Sequence, residues 1–252
     1  MSFVKHLIDS VGSASSAGDE PLEKPDAWKI LDIFSRLMNQ SIYVADFSKG
    51  EFLYVSEHPL FLCGYSAQEV KEMGFSFYEK IIAPEDMPVV MDVNENGFRF
   101  FNTKHPEDYR EHCYLSVDFR IRQEDGSLIL ISQRLVPLQL SHDNRLISTL
   151  CFVTPSYAEG PGNAVIQNLL EPFQYQFNEL TRRFDRREQN QLSVREKEVL
   201  SLCVKGDGNQ FISKSLNISE STVKQHKRNI FRKLGVSNTS EAVYYAISNR
   251  MV

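Results

Sequence analysis

From Trp28 to Met38 the apolar residues Ile30, Leu31, Phe34, Leu37 and Met38 recur at helical spacing, which lays them along one stripe of a predicted helix. The period then falls to two. Ile42 to Asp46 and Phe52 to Ser56 read as short strands parted by the turn-forming Ser48-Lys49-Gly50. Between His58 and about Lys80 the pattern becomes short helical pieces, with Ser66 three residues before Glu69 as a capping box and Gly64 and Gly74 as bounds. Pro84-Glu85-Asp86 opens a longer helix, Met87 to about Asn96. Cys113 to Arg122, Leu128 to Val136 and Leu146 to Val153 are strand-like, with turns at Asp125-Gly126 and His142-Asp143-Asn144. The predicted order is two strands, several helices, three strands.

Residues 156–190 support two readings. Ile166, Leu170, Phe173, Phe177, Leu180 and Phe184 repeat at 4-3-4-3-4, the rhythm of a heptad helix that pairs in a dimer. Pro172 interrupts that rhythm, and from it to Phe177 aromatic and amide residues alternate strictly. That alternation suits a half-exposed strand, with Ala164 to Leu169 as its partner across a Leu-Glu-Pro turn.

Beyond residue 190 the punctuation is dense. Ser193 with Glu196, Ser219 before Glu220, and Asn238 with Glu241 are helix starts, while Gly206 and Gly235 are stops. One short helix fits between, about Asn209 to Leu216, followed by a tight Asn217-Ile218 turn into the next. At about 100° per residue, Val223, Ile230 and Leu234 fall on one narrow arc of the helix Glu220 to Leu234. Ser221, Lys224, Gln225, Arg228 and Arg232 lie on roughly the opposite arc, and nearly all are long donors able to reach base edges or phosphates. A basic stripe alone also suits a solvated helix face. The turn, caps and short preceding helix make this one a helix-turn-helix.

Charge separates the chain in the same place. From Gln191 onward ten Lys and Arg stand against five acids, a net +5, leaving eighteen against twenty-eight, or −10, for residues 1–190. Only the C-terminal part attracts phosphate. Arg182, Arg183, Arg186 and Arg187 extend the basic run backwards, as a solvated linker or a contact to the DNA backbone.

Residues 191–252 resemble the LuxR-type helix-turn-helix of quorum-sensing and nitrate-type regulators. The Arg195-Glu196 pair, Val199-Leu200, Gly206, Ile218-Ser219, Thr222-Val223, His226, Ile230 and Lys233-Leu234-Gly235 carry the resemblance. It implies that Lys224, Gln225 and Arg228 read bases, and that Ser193, Asn209, Gln210, Thr222 and Lys227 meet phosphates; Ser221 and Arg232, on the outer arc, are expected to meet phosphates with them. Glu196, Leu200, Gly206, Ile218, Val223, His226, Ile230, Leu234 and Gly235 are then scaffold, with His226 fixing the helix near the core arc rather than working as an acid or base. Two residues depart from the pattern: Phe211 replaces a charged residue, and Ser213 replaces a small apolar one. Phe211 is accordingly expected to pack on the rest of the chain or on a partner subunit.

The element order over residues 27–155, with Ile-Ile-Ala-Pro-Glu-Asp before the long helix and strands meeting at Glu-Asp-Gly-Ser, resembles a PAS domain. That implies an α+β fold, a five-stranded antiparallel sheet with helices on one face, ahead of an all-α four-helix reader. Its interior would hold a small-molecule ligand or simply side chains. The cofactor is unknown: the cysteine stretch of flavin-binding photosensors is absent, and His58 and His105, beside prolines in expected loops, make no haem signature.

At 252 residues and 42% hydrophobic, the chain can carry two cores. It has no stretch apolar enough to span a membrane, and Lys5 and His6 interrupt the run of Phe3, Val4, Leu7 and Ile8 that a secretion signal would need unbroken. A cytoplasmic location is expected. Cys63, Cys113, Cys151 and Cys203 lie far apart with no C-x-x-C pair, which disfavours a zinc site or a disulfide framework and leaves buried thiols. A phosphorylated receiver would need alternating strands and helices, so phosphorylation of Asp46 does not fit. An acyl-homoserine-lactone pocket would need several tryptophans, and Trp28 stands alone. A sigma-factor tail would follow helices, whereas residues 112–154 read as strands. No G-x-S-x-G, phosphate loop, metal cluster or Cys/His pair marks an enzyme.

The expected organisation is a flexible lead-in (1–26), a PAS-like sensor (27–155), a connector (156–190) and the DNA-binding domain (191–252). The expected function is a one-component, sequence-specific transcriptional regulator. Its partners would be double-stranded DNA, a second copy of itself and RNA polymerase, with Ala242, Val243, Tyr245 and Ala246 of the last helix as the dimer contact. The competing class is a protein-interaction module whose basic end anchors non-specifically on nucleic acid.

Overall fold

The computed structural model describes residues 5, 25–103, 112–141, 145–156, 158, 160–171, 173–188 and 192–248. Most of the expected lead-in and the expected turn at 142–144 lie outside the described residues. The chain forms two compact units, Met1–Arg187 and Glu188–Val252.

In the first unit, helix α1 (Pro25–Met38) precedes β1 (Ser41–Asp46) and β2 (Glu51–Val55). The short helices α2 (Pro59–Leu62), α3 (Ala67–Met73) and α4 (Ser76–Ile81) and the long α5 (Met87–Thr103) follow. Strands β3 (Cys113–Arg122), β4 (Leu128–Leu140), β5 (Leu146–Pro155), β6 (Ala164–Asn168), β7 (Phe173–Asn178) and β8 (Arg183–Glu188) complete it. All join one sheet in the order β2-β1-β5-β4-β3-β6-β7-β8.

The five expected strands are the first five of that order, but the sheet is wider than the expected five. Within the expected connector, strands β6 to β8 continue the sheet, with β6 pairing antiparallel to β3 (Leu115↔Ile166) and β7 to β6 (Ile166↔Tyr175). This is the strand reading of the segment, not the helix. Pairing β6 covers the backbone donors and acceptors that β3 would otherwise leave at an edge. Asp118 fastens the junction: its amide donates to Asn163 O at 3.0 Å, Gly162 N donates to Asp118 O at 2.8 Å, and the Asn163 side chain donates to the Asp118 carboxylate at 2.7 Å.

A second correction concerns the faces. Along β1, Tyr43 and Ala45 point to the main core, packed with Phe61, Phe75, Phe77 and Phe98. Ile42 and Val44 point the other way, as alternation requires, and pack with Trp28 and Leu31 of α1. Helices therefore flank both faces of the sheet, not one. Trp28 stacks on Tyr54 at 5.5 Å, and the Tyr54 hydroxyl donates to Asp32 at 2.6 Å.

Local chemistry explains the joints. Asp46 Oδ1 accepts from Ser48 N (2.8 Å), Ser48 Oγ (2.5 Å) and Lys49 N (3.2 Å), so this strand-end acid builds the β1–β2 turn. Asp86, at the head of α5, is gripped by Arg120 of β3 through its backbone N (2.8 Å) and guanidinium. Burial pushes the Asp86 carboxyl up, but the Arg120 hydrogen bonds outweigh it and hold the group below its ordinary value. Gly97 lets α5 lie close on β3, since a Cβ there would come within 2.8 Å of Leu115 Cδ2.

The interior is filled by apolar side chains, many of them aromatic. Tyr78 donates to the Tyr43 hydroxyl at 2.8 Å, and the space bounded by Phe47, Tyr78, Ile82, Val90, Asn94, Gln133 and Leu135 has room for about one water.

The second unit holds α6 (Val194–Val204), α7 (Asn209–Leu216), α8 (Glu220–Leu234) and α9 (Thr239–Ser248). Its core is Leu192, Val199, Leu200, Cys203, Ile212, Val223, Ile230, Ala242 and Ala246.

Candidate nucleic-acid interface

The helices of the second unit begin and end on the residues the sequence marks. Ser193 Oγ accepts from Glu196 N at 3.3 Å while Glu196 accepts from Ser193 N at 2.7 Å, closing a capping box on α6. Ser219 Oγ accepts from Thr222 N at 3.1 Å on α8, and Asn238 Oδ1 accepts from Glu241 N at 3.0 Å on α9. Gly206, Asn217 and Gly235 take the left-handed conformation at φ of 87, 51 and 67°. Asn217 gives the sharp turn between α7 and α8.

Two ties fix α8 against α6 and α7. The buried Glu196 carboxylate accepts from Lys233 Nζ at 2.7 Å, joining the start of α6 to the end of α8. Burial pushes Glu196 up, but Lys233 and the Ser193 amide hold it below the ordinary carboxylate value. Arg195 donates to the Leu216 carbonyl at the end of α7 and pairs with Glu198 at 2.7 Å. The sequence motif contained Arg195, Glu196 and Lys233 but did not reveal these partners, which lie 21 and 37 residues away.

Held this way, α8 turns Val223 and Ile230 into the core and half-buries Leu234 against it. Ser221, Lys224, Gln225, Arg228 and Arg232 are exposed, and Gln225 donates to Asn229 at 3.3 Å. At the head of α8, Ser219 Oγ lies 2.6 Å from Ser221 Oγ and 2.8 Å from Thr222 Oγ1, a cluster of hydroxyls at the helix N-terminus. The geometry gives α8 one apolar side and one cationic side, able to donate to base edges and phosphates.

The other candidate residues are placed as follows. Leu200 is buried in the core and Ile218 packs on it; His226 is half-buried, and Gly206 and Gly235 are exposed at their helix ends. Ser193 and Gln210 are exposed. Asn209 is half-buried, its Oδ1 without a partner among the described residues. Lys227 is half-buried and faces the Cys203 thiol, which burial pushes up and Lys227 draws down.

The dimer contact expected on α9 needs correction. Ala242 and Ala246 are 1% and 0% exposed in the unit's own core, and Val243 packs partly against it. Of the four, Tyr245 stands outside, with Tyr244 and Ile247 beside it. Apolar residues on this short helix serve the fold first.

Phe211 is 56% exposed, which removes the expectation that it packs on the rest of the chain. Ser213 is buried and returns its hydroxyl to Gln210 O at 2.8 Å, satisfying the extra polar atom at that position.

All four cysteines are free and buried, and burial pushes the thiols of Cys63, Cys113 and Cys151 up to about 12. Among the described residues no group of three His, Cys, Asp or Glu could hold a metal, and no helix is long and apolar enough to cross a membrane.

Comparison with known proteins agrees with this geometry. Residues 190–246 match the family model GerE, described as bacterial regulatory proteins, luxR family. They are a LuxR-type helix-turn-helix domain. A 67-residue stretch is 43% identical to the probable csgAB operon transcriptional regulatory protein of Salmonella typhimurium, covering 27% of this chain and 31% of that protein. Another of 61 residues is 43% identical to the oxygen regulatory protein NreC of Staphylococcus aureus, covering 24% of this chain and 28% of NreC. The chain thus spans less than a third of these relatives. Among solved structures, the Vibrio cholerae VqmA dimer is 16% identical over 88% of this chain and 87% of its own, at a TM-score of 0.36.

Proposed function

We propose that this chain is a cytoplasmic, one-component transcriptional regulator that binds double-stranded DNA as a homodimer through its second unit, and acts by binding rather than catalysis. The single observation that carries it is the outward arc of α8, where Lys224, Gln225, Arg228 and Arg232 stand exposed opposite the buried Val223 and Ile230. Lys224, Gln225 and Arg228 read bases in the major groove, and Ser193, Asn209, Gln210, Ser221, Thr222, Lys227 and Arg232 meet the backbone. The relatives named as transcriptional regulators support this part of the reading. Two copies would present two such helices to half-sites one helical turn apart.

The first unit is the sensor, PAS-like in its order β2-β1-β5-β4-β3, and takes a small molecule by rearranging the aromatic interior around Tyr78, Asn94 and Gln133. RNA polymerase is the downstream partner.

Footprinting on genomic fragments recovered by immunoprecipitation tests the reading. The expected result is discrete, two-fold protected sites; uniform coverage without a protected site would instead indicate a non-specific anchor on a protein-interaction module.

A further inference from the structure

Helix α1 carries an apolar arc wider than the sheet covers. Trp28 and Leu31 turn to the sheet and pack with Ile42, Val44 and Tyr54. Ile30, Ile33, Phe34, Leu37 and Met38 stand 52, 49, 52, 75 and 47% exposed. Their spacing is i, i+3, i+4, i+7 and i+8, the stripe by which one helix seats on another. At about 100° per residue this stripe is centred roughly 120° round the helix from the sheet-facing Trp28 and Leu31. Five large side chains open to this degree present on the order of 500 Å², the upper end of what a monomer leaves uncovered.

We propose that this stripe is the interface with a second copy of this chain, α1 packing on α1 in parallel about a two-fold axis. The size fits: two such patches together bury on the order of 1,000 Å², where specific interfaces begin. The patch is also self-complementary, as an isologous contact demands, because Ile30, Ile33 and Leu37 surround Phe34 on a single straight stripe.

Charge selects the direction. Lys29 and Arg36 lie along one flank of the stripe, whereas Ala27 and Met38 lie along the other. Parallel helices set each flank against the opposite flank of the partner, so cations meet uncharged residues; antiparallel helices would set Lys29 beside the partner copy's equivalent of Arg36. The inference goes beyond the reading of α8 and gives the proposed dimer a contact on the sensor.

Sedimentation equilibrium of the full chain without DNA tests it. The wild type is expected to be a dimer at micromolar concentration, and Ile33→Glu and Leu37→Glu are each expected to weaken it about 100-fold. Both side chains face outward, so circular dichroism and the unfolding of each variant should match the wild type at a concentration where all are monomeric. Leu37→Cys should cross-link to its own copy under mild oxidation, since a parallel pair sets identical residues face to face. A monomeric wild type overturns the proposal and leaves the stripe to the chain's own residues 1–24 or to another protein. A dimer that survives both Glu variants overturns it while leaving the dimeric reading intact, and a dimer without the cross-link overturns the parallel arrangement. None of these outcomes touches the reading of α8 as the DNA-binding helix, which footprinting decides separately.

Discussion

Helices α1 and α8 are nearly equal in length, 14 and 15 residues, and each buries one apolar stripe in its own unit. They differ on the side left open. In α8 that side carries Lys224, Gln225, Arg228 and Arg232; in α1 it carries Ile30, Ile33, Phe34 and Leu37. A helix needs only one side to hold it in its fold, so the other side is free to be shaped by a partner. Cationic donors suit a polyanion, and a greasy stripe suits another helix. The same device, packing on one side and presentation on the other, thus serves two different recognitions in one chain.

The sharpest way to break this comparison is to truncate one residue from each kind of side. Ile230→Ala removes a fully buried side chain of α8 and should cost about 2–5 kcal/mol in the urea unfolding of the second unit. Leu37→Ala, on the outer side of α1, should change the monomer's stability by less than about 0.5 kcal/mol. Similar costs at both sites would mean that α1 has no outward side.

Next in size is Glu196, which holds α8 in place without touching its outer arc. Glu196→Gln removes the charge that Lys233 and the Ser193 amide surround, and should cost roughly 2–3 kcal/mol at neutral pH. The sign of its pH dependence follows from the lowered carboxyl. A depressed pKa means the unfolded chain binds the proton more readily, so the stabilisation is full above the ordinary glutamate value of about 4.3 and is lost as pH falls through the lower, folded value. The gap between wild type and variant in thermal unfolding should therefore narrow as the solution is acidified below that value. A gap independent of pH would show that the carboxylate's charge contributes nothing.

Arg228→Ala and Lys224→Ala probe the outer arc itself. Each should cost about 1–3 kcal/mol of discrimination between a protected site and random DNA, with the unfolding midpoint unchanged. Equal losses on both DNAs would reassign the residue to phosphate contact.

What the sequence disclosed follows from the range of the interactions. Helix caps act over three or four residues, so Ser193 with Glu196 and Asn238 with Glu241 could be found by spacing alone, and each is hydrogen-bonded as expected. The strands β6 and β7 were legible, β7 from its alternation, but not as part of the first unit's sheet, because Asp118 and the Asn163 side chain that docks on it are 45 residues apart; β8 reads in sequence only as a basic linker. In α1, periodicity collected Ile30, Leu31, Phe34, Leu37 and Met38 into a single stripe. The structure divides them, Leu31 inward and the others outward, since the apolar arc is wider than the sheet covers and periodicity does not say which part of it is covered. Of the dimer residues expected on α9, Ala242 and Ala246 are lost for a related reason: alanines suit a close helix contact wherever it occurs, and these two make theirs inside the domain.

Phe211 should show the smallest effect and tests the comparison from its weakest point. It is the one large apolar residue exposed on α7, 56% open on a helix that otherwise presents polar side chains outward. If recognition sides are shaped by partners, a lone apolar residue without a stripe around it is an ordinary surface residue. Phe211→Glu should then leave stability within about 0.5 kcal/mol by urea unfolding and leave the sedimentation mass unchanged. A loss above about 1 kcal/mol, or a change in mass, would make Phe211 an anchor and extend the apolar recognition argued for α1 into the DNA-binding unit.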